Sequence, residues 1–289
     1  MMPATPPKVR LLDEVRAQCR LGHYSGRTEE AYVGWIRRFI IFHAKRHPRE
    51  MGAGEVRAFL SHLATKAQVS ASTQNQALGA LVFLYRRVLR QEVGDIGAHE
   101  RARSPERLPV VLARVEVRAV MAQLAGTPWL VAMLLYGAGL RLNEALELRV
   151  KDVDFERRAI AVRRGKGAKD RMAPLPASTA PKLRAHLGDV RAQFDRDRAA
   201  GIAGVALPEG LSRKYPNAGT DWVWQWVFPA GRICRDPRFG APSRFHLHES
   251  AIQREVTRAV RAAGIAKRAG CHTLRHHADR RIMPMIAAS

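Results

Sequence analysis

The sequence has little of what marks several large classes of protein. Its three cysteines, Cys19, Cys234 and Cys271, are scattered and odd in number, so they form neither a disulfide framework nor a zinc site. The longest apolar stretch, residues 129–136, is far shorter than the roughly 20 residues that span a membrane. The N-terminus has no apolar signal core. These absences predict a protein of the reduced cytoplasm that does not enter a membrane.

Acidic residues are also scarce. The chain has 49 Lys and Arg residues against 26 Asp and Glu residues, a formal net charge of +23. So large an excess predicts a polyanionic partner, and nucleic acid is the first expectation. A membrane surface is the rival, but the arginines are spread along the whole chain rather than gathered on one amphipathic anchor. With 289 residues and 46% hydrophobic content, the chain can form about two domains with buried cores.

Residues 11–95 have the pattern of a small helical domain, with apolar residues at helical spacing in three stretches. The first predicted helix of these three begins with Thr28 as its cap. The polar start of the third carries four short donors and amides, Ser72, Thr73, Gln74 and Gln76. Such a helix end can face DNA phosphates and base edges. For any single one of these residues, ordinary capping is the better supported interpretation.

Residues 96–113 are polar, rich in arginine and interrupted by prolines, which is typical of an interdomain linker. The second domain follows over residues 114–289. Its pattern predicts helices at about residues 115–124, 128–136 and 249–262, and another that opens at Leu140 after a glycine break. Two strands, at residues 159–162 and 172–175, flank a charged turn, and Pro174 predicts an edge strand.

Four basic side chains in the second domain form the strongest functional pattern: Arg141, Lys166, His272 and Arg275. Arg141 follows the glycine break, Lys166 lies in the charged turn, and the last two are one helical turn apart. Cations around a phosphate suit phosphoryl transfer, because its charge grows in the transition state. Each motif alone is weak, since such arginines are usually solvated or ion-paired. Their combination and order carry the prediction.

In order and local context these motifs resemble those of the tyrosine recombinases, the phage integrase family, over about residues 11–276. The resemblance implies a mostly α fold with a small antiparallel sheet. The N-terminal part would be a four-helix, SAM-like core-binding domain, and the remainder an α+β catalytic domain. The implied partner is double-stranded DNA at an attachment site, on which the full-length family assembles as tetramers.

The resemblance also implies a role for each residue of the pattern. Arg141 and Arg275 would hold the non-bridging oxygens of the scissile phosphate. Lys166 would protonate the leaving 5′-oxygen, and His272 would assist by hydrogen bonding. Glu144 would orient the cations. No metal and no cofactor are expected, because fixed cations stabilise the transition state and a covalent phosphotyrosine conserves the bond energy.

An insert at about residues 200–248 looks like the one that marks integron integrases. It contains Trp222, Trp224 and Trp226 at alternate positions, and His246 where that group often has a pair of histidines. The resemblance implies that these residues hold unpaired bases of folded, single-stranded cassette sites. Indoles at period two suit base stacking. A core strand with one buried face explains the same spacing, and burial is the better supported interpretation for most of these aromatics.

Tyrosine is the last scarcity: the chain has five, and none follows Tyr215. The family places its nucleophilic tyrosine after the His-x-x-Arg motif, whereas residues 277–289 carry neither that tyrosine nor the second family histidine. We therefore expect integron-type chemistry, the integration and excision of gene cassettes, but no strand transfer by this polypeptide. The alternatives are a catalytically dead remnant or regulator that occupies recombination sites, an RNA-binding helical protein, and an enzyme using another hydroxyl such as that of Ser289.

Overall fold

The computed structural model describes residues 10–92, 110–163, 170–202, 204–207, 209–235 and 242–275. Its contacts divide the chain into two compact units, Met1–Arg107 and Leu108–Ser289. We call them the first and second unit and describe each by itself. None of the helices in the described ranges is long and apolar enough to cross a membrane.

The first unit is built from four helices: α1 (Leu11–Leu21), α2 (Gly26–Phe42), α3 (Ala53–Thr65) and α4 (Ala71–Phe83). Their apolar faces meet in one core, as the spacing predicts, and its largest fully buried side chains include Tyr85, Phe39, Ile36, Leu60, Leu81 and Leu84. The predicted start of α2 was wrong by three residues. Ser25 is the cap, because its hydroxyl accepts a hydrogen bond from the backbone N–H of Thr28.

The end of α4 leads into a π-helical turn, Leu84–Leu89. Within this turn Tyr85 is almost fully buried, and its hydroxyl lies 3.1 Å from the carbonyl oxygens of both Pro48 and Met51. Burial raises the pKa of Tyr85 to about 12, so the phenol stays neutral and donates. This buried hydroxyl joins the turn to the segment that precedes α3.

The second unit contains the remaining helices: α5 (Arg114–Ala122), α6 (Gly126–Gly137), α7 (Leu142–Leu146), α8 (Ala180–Ala199), α9 (Glu209–Lys214), α10 (Glu249–Ala262) and α11 (Cys271–Arg275). α6 is apolar on all sides and buried along most of its length. It contacts α7, α8, α10 and α11. The elements that carry Arg141, at the start of α7, and Arg275, in α11, therefore share one central neighbour.

Two small antiparallel sheets complete the second unit. The first has the order β1 (Val153–Asp154), β2 (Ala159–Val162), β3 (Arg171–Pro174). Pro174 lies on the outer strand, as predicted, where its missing N–H costs no ladder bond. The second sheet pairs β4 (Pro229–Arg235) with β5 (Pro242–His246), Ile233 opposite Arg244. The fold is thus mostly α with small antiparallel sheets, which confirms the predicted class.

The three cysteines differ in their surroundings. Cys19 is buried in the first unit and Cys271 in the second, whereas Cys234 is exposed on β4. Burial raises the pKa of Cys271 to about 11 and also raises that of Cys19. The two buried thiols therefore act as small apolar core residues.

Candidate active site

Arg141 lies where the chain leaves α6 and turns into α7. Gly139 allows the turn by adopting a positive φ of 65°. The helix predicted to open at Leu140 begins two residues later, so Arg141 is its N-cap, with extended backbone, rather than a residue of the first turn. The reason is Glu144, whose carboxylate accepts the backbone N–H of Arg141 at 2.8 Å and so fixes the helix start there.

Glu144 binds two guanidinium groups as well as that backbone N–H. Its Oε1 lies 2.6 Å from Nη1 of Arg141, and its Oε2 lies 2.6 Å from Nη2 of Arg171, the first residue of β3. The Glu144 side chain is only 8% exposed. Burial acts to raise its pKa, but the hydrogen bonds from Arg141 and the charges of both arginines outweigh burial and lower that pKa. The carboxylate is thus held ionised between two cations.

His272 and Arg275 belong to α11, so their predicted helical spacing is confirmed. The helix buries Cys271 and Leu274 against the core, which leaves His272 exposed and Arg275 half-buried. The backbone N–H of Gly270 donates to the Thr273 hydroxyl at 3.2 Å at the start of this turn. α11 packs on α6, which also contacts α7.

Lys166 lies outside the described residues, in the segment 164–169. Its two flanking strands are described. Arg163, directly after β2, donates from Nε to Asp152 at 2.7 Å, and Arg171 opens β3 at Glu144. An arginine on either side of the Lys166 segment therefore binds a buried carboxylate.

The tryptophans of the insert do not form the core strand that their alternation predicted. Trp222 and Trp224 lie in a 3-10 turn, Trp222–Trp224, and only Trp226 forms a bridge, with Arg149. The reason lies in the backbone: the N–H of Trp224 binds the carbonyl of Asp221, and that of Gln225 binds the carbonyl of Trp222. The indoles consequently point into different surroundings.

Trp226 is buried, at 6% exposure, and packs beneath Arg149. The Arg149 Cζ lies 3.1 Å from the centre of the indole, while its Nη1 and Nη2 donate to the carbonyls of Trp224 and Ala206 at 2.7 and 2.8 Å. Burial lowers the pKa of Arg149 to about 10, so it remains a cation at neutral pH. Trp226 therefore has the buried role that the core interpretation assigned to it.

Trp222 and Trp224 are only partly buried. The Lys151 ammonium nitrogen lies 3.3 Å from the centre of the Trp224 ring. Burial lowers the pKa of Lys151, although the charge of Asp152 opposes that shift. Trp222 instead contacts Phe194, with ring centres 5.6 Å apart, and Arg191. Both rings are thus partly open with a cation beside them, but the Lys151 nitrogen lies closer to the Trp224 ring than the Arg191 Cζ lies to the Trp222 ring, at 3.3 Å against 5.2 Å.

A cavity of about 740 Å³ lies in the second unit and joins two sets of predicted residues. Its lining includes Arg141, Glu144, Lys151, Trp224, Trp226 and His246. His246 is half-buried, packs edge-on against Trp226 with ring centres 5.1 Å apart, and its Nδ1 lies 2.9 Å from the Leu247 carbonyl. The structure therefore brings Arg141 and Glu144 to the same cavity as Trp224, Trp226 and His246, whereas Trp222, His272 and Arg275 are not among the residues that line it.

The four residues predicted for DNA at the start of α4 are also engaged within the protein. The Ser72 hydroxyl lies 2.9 Å from that of Ser70, and the Thr73 hydroxyl 2.8 Å from it. Gln74 donates to the Leu60 carbonyl at 3.2 Å. Gln76 accepts from the Trp35 indole N–H at 3.3 Å. Capping and packing therefore account for part of the hydrogen-bonding capacity of each residue.

Comparison with known proteins decides the family. A profile described as "Phage integrase, N-terminal SAM-like domain" matches residues 11–95, and one described as "Phage integrase family" matches residues 112–284. The chain belongs to the phage integrase family. Relatives named integrase/recombinase from Escherichia coli and Pseudomonas aeruginosa are each 50% identical to it, over 94% of this chain and 81% of the relative.

Solved phage integrase family structures share the fold. The Tn1549 transposon integrase in complex with transposon right end DNA has a TM-score of 0.62 at 14% identity, covering 93% of this chain and 85% of that one. A lambda integrase dimer bound to a COC′ core site has a TM-score of 0.57 at 16% identity, covering 93% and 87%. The family assignment thus indicates that the chain is a tyrosine recombinase of site-specific DNA recombination.

The sequence alone does not identify three residues that lie at this site in the structure: Arg149, Lys151 and Arg171. Each is one arginine or lysine among 49, and composition cannot separate a buried cation from a solvated one. One signal was available for Arg149: an acid three residues later, Asp152, repeats the spacing between Arg141 and Glu144. The spacing alone, however, says nothing of which tryptophan the arginine covers.

Proposed function

We propose that this chain is an integron-type recombinase that binds gene-cassette sites and carries the phosphoryl-transfer pocket for their integration and excision. The observation that carries the proposal is the shared cavity. Arg141, held by Glu144, lines the same 740 Å³ space as the insert residues Trp224 and His246. A phosphate-binding arginine beside a stacking surface suits DNA in which a backbone and an unpaired base are recognised together.

In the proposed pocket, Arg141 and Arg275 bind the non-bridging oxygens of the scissile phosphate, and Glu144 orients Arg141. Lys166 delivers a proton to the leaving 5′-oxygen, and His272 assists it. Supporting this assignment, Arg141 keeps a 37% exposed side chain although its partner Glu144 is buried. An arginine has five N–H donors, so donors remain for a phosphate. Fixed cations of this kind lower the barrier without reorganising in the transition state.

The domain organisation forms part of the same proposal. Residues 11–95 would be the core-binding domain, 96–113 a linker along the DNA backbone, and 114–289 the catalytic domain with the insert at about 200–248. DNA would also contact Ser72, Thr73, Gln74 and Gln76, at the start of α4. The solved structures with this fold include integrase–DNA complexes, among them a lambda integrase tetramer bound to a Holliday junction. We propose the same partner, and tetramers on DNA, for the full-length protein.

The 289-residue polypeptide has no tyrosine after Tyr215, and Tyr215 lies in the insert, directly after α9. We therefore propose that this polypeptide, used as it stands, occupies its sites without forming a covalent adduct. The test is a nicked suicide substrate, which traps phosphotyrosine adducts as slowly migrating bands. A denaturation-resistant protein–DNA band that disappears on changing Arg141 would contradict the proposal.

Binding itself is tested separately. With a net charge of +23, several phosphate contacts should release counterions, so affinity for a cassette-site hairpin should fall steeply with salt. The integron assignment requires that a folded single strand with unpaired bases binds more tightly than the fully paired duplex of the same sequence. Equal affinity for the two ligands would contradict the integron assignment and would indicate a recombinase of double-stranded sites.

A further inference from the structure

The strand that follows the Lys166 segment contributes a cation to the Arg141 site. Arg171 is the first residue of β3, and its Nη2 lies 2.6 Å from Oε2 of Glu144. The other oxygen, Oε1, lies 2.6 Å from Nη1 of Arg141. We call these three residues the Glu144 bridge. It joins α7 to the first sheet through one buried carboxylate.

The charges of the Glu144 bridge determine what it can bind. Arg141 and Glu144 alone would form a neutral pair, and a neutral pair has little attraction for a phosphodiester. A buried carboxylate also holds its counter-charge tightly, because solvent cannot screen it. With two arginines on one carboxylate the bridge has a net charge of +1. The second arginine therefore leaves a positive charge at the position of Arg141.

The two carboxylate oxygens of Glu144 accept different donors. Oε2 accepts both the Arg141 backbone N–H and the Arg171 guanidinium, while Oε1 accepts the Arg141 side chain. Without Arg171, Oε2 would keep only the backbone donor. The Arg141 guanidinium is then the cation best placed to move onto both oxygens, as a bidentate pair. That movement would turn its donors away from a phosphate.

We propose that Arg171 is a positioning residue of the phosphoryl-transfer pocket. It balances Glu144, and so leaves Arg141 oriented and charged for the scissile phosphodiester. This inference rests on the proposed function, since it presumes that Arg141 binds phosphate. Arg171 opens β3 two residues after the segment that carries Lys166, so the same contact joins the start of β3 to α7.

The test uses the 289-residue polypeptide and the dinucleoside phosphate TpT, which carries one phosphodiester, with binding followed by phosphorus NMR at low ionic strength. The reference variant is Arg141→Gln, which should abolish the specific part of the response. Arg171→Met should weaken TpT binding by about tenfold, the size of one charge-assisted hydrogen bond. Arg171→Lys should recover part of that loss, because lysine keeps the charge but not the planar fork.

Arg157→Gln is the matched control for net charge. Arg157 follows β1 in the same sheet, is 86% exposed and pairs with the exposed Asp154. It should bind TpT as the unchanged protein does. Thermal unfolding of each variant accompanies the titration, so that a loss of folded protein is not counted as a loss of affinity.

The decisive variant is the double change Glu144→Gln with Arg171→Met. Glutamine can still accept the Arg141 backbone N–H and cap α7, but it carries no charge to be balanced. In this background the loss of Arg171 should change TpT affinity by less than about threefold. A full tenfold loss in both backgrounds would mean that Arg171 itself contacts phosphate, and would overturn the positioning role.

The remaining outcomes distinguish the positioning role of Arg171 from the phosphate-binding role of Arg141. If Arg141→Gln abolishes binding while Arg171→Met leaves it unchanged, the positioning role is wrong and the proposed function stands. If Arg171→Met lowers only the unfolding temperature, its role is purely structural and the inference is overturned. If Arg141→Gln has no effect on TpT binding, Arg141 is not the phosphate ligand. Both the proposed pocket and the positioning role of Arg171 are then wrong.

Discussion

Two arginine–carboxylate pairs lie eight positions apart in the second unit and differ in one respect. In each, an acid three residues on accepts the arginine backbone N–H: Glu144 from Arg141 at 2.8 Å, and Asp152 from Arg149 at 3.1 Å. Each acid also accepts an arginine from beside the Lys166 segment: Glu144 from Arg171, which opens β3, and Asp152 from Arg163, which follows β2. Only the fate of the first arginine side chain differs.

The Arg141 guanidinium binds its own acid and remains 37% exposed. The Arg149 guanidinium instead lies on Trp226 and binds two carbonyls, and the residue is 8% exposed. The insert makes the difference, because it supplies Trp226 and the Trp224 and Ala206 carbonyls. The same arginine–acid spacing thus leaves the Arg141 side chain partly exposed, whereas it buries the Arg149 side chain against the insert.

The largest expected effect comes from removing the ring beneath Arg149. Trp226→Ala should lower the free energy of unfolding by about 3–5 kcal/mol, as for other buried aromatic side chains. Urea unfolding followed by circular dichroism measures it. The matched change is Trp224→Ala, which should cost much less, since this ring is only partly buried. Equal losses for the two would break the distinction between a supporting indole and an accessible one.

The two arginines should separate in the same way. Arg149→Met leaves the Trp224 and Ala206 carbonyls without this donor and should cost about 3 kcal/mol of stability, at 1–3 kcal/mol per buried unsatisfied group. Arg141→Met should cost about 1 kcal/mol or less, as expected for a partly exposed ion pair. Chemical denaturation gives both values. If Arg141→Met were the more destabilising change, Arg141 would be the internal support instead.

Base stacking is expected to contribute a smaller effect, on binding rather than folding. Trp224→Ala should weaken binding of a folded single-stranded cassette-site hairpin by about 1–3 kcal/mol. Fluorescence anisotropy measures it, with the same hairpin lacking its unpaired bases as the control ligand. An equal loss for both hairpins would show that Trp224 does not bind unpaired bases.

The smallest effect concerns pH. The pKa of Glu144 is lowered from its ordinary value of 4.5, so its ionised form stabilises the fold. That contribution is complete above 4.5 and is lost as the pH falls through the depressed folded value. The stability difference between the unchanged protein and Glu144→Gln should therefore shrink on acidification below pH 4.5. A difference that stays constant across this range would contradict an ionised Glu144 held between two arginines.

Much of the fold could be predicted because periodicity records burial. The pattern predicts α10 at its observed bounds, Glu249–Ala262, and predicts helical spacing of apolar residues in the first unit, which α3 shows by burying Val56, Phe59, Leu60 and Leu63. Local hydrogen bonds decided the remaining boundaries. The caps are Ser25 for α2 and Arg141 for α7, so these helices begin at Gly26 and Leu142, because a side-chain acceptor three residues from a backbone N–H outweighs composition.

The candidate site was predictable only as far as the family motifs extend. The order of Arg141, Lys166, His272 and Arg275 predicts one pocket, and this stays a prediction. Arg171 could not be chosen among so many arginines, because only its distance from Glu144 distinguishes it. The alternation of the tryptophans misled for a related reason. A period of two describes a strand only when the backbone is extended, and the turn at Trp222–Trp224 breaks that condition.

The cysteines differ in their reactivity, and the exposed one lies in the insert. Thiolates, not thiols, react with maleimides, and burial holds Cys271, with a pKa of about 11, and Cys19 as inaccessible thiols. Cys234 is exposed on β4. A thiol-directed fluorophore added to the native chain should therefore attach at this one position without any engineered cysteine, and so report from the insert hairpin.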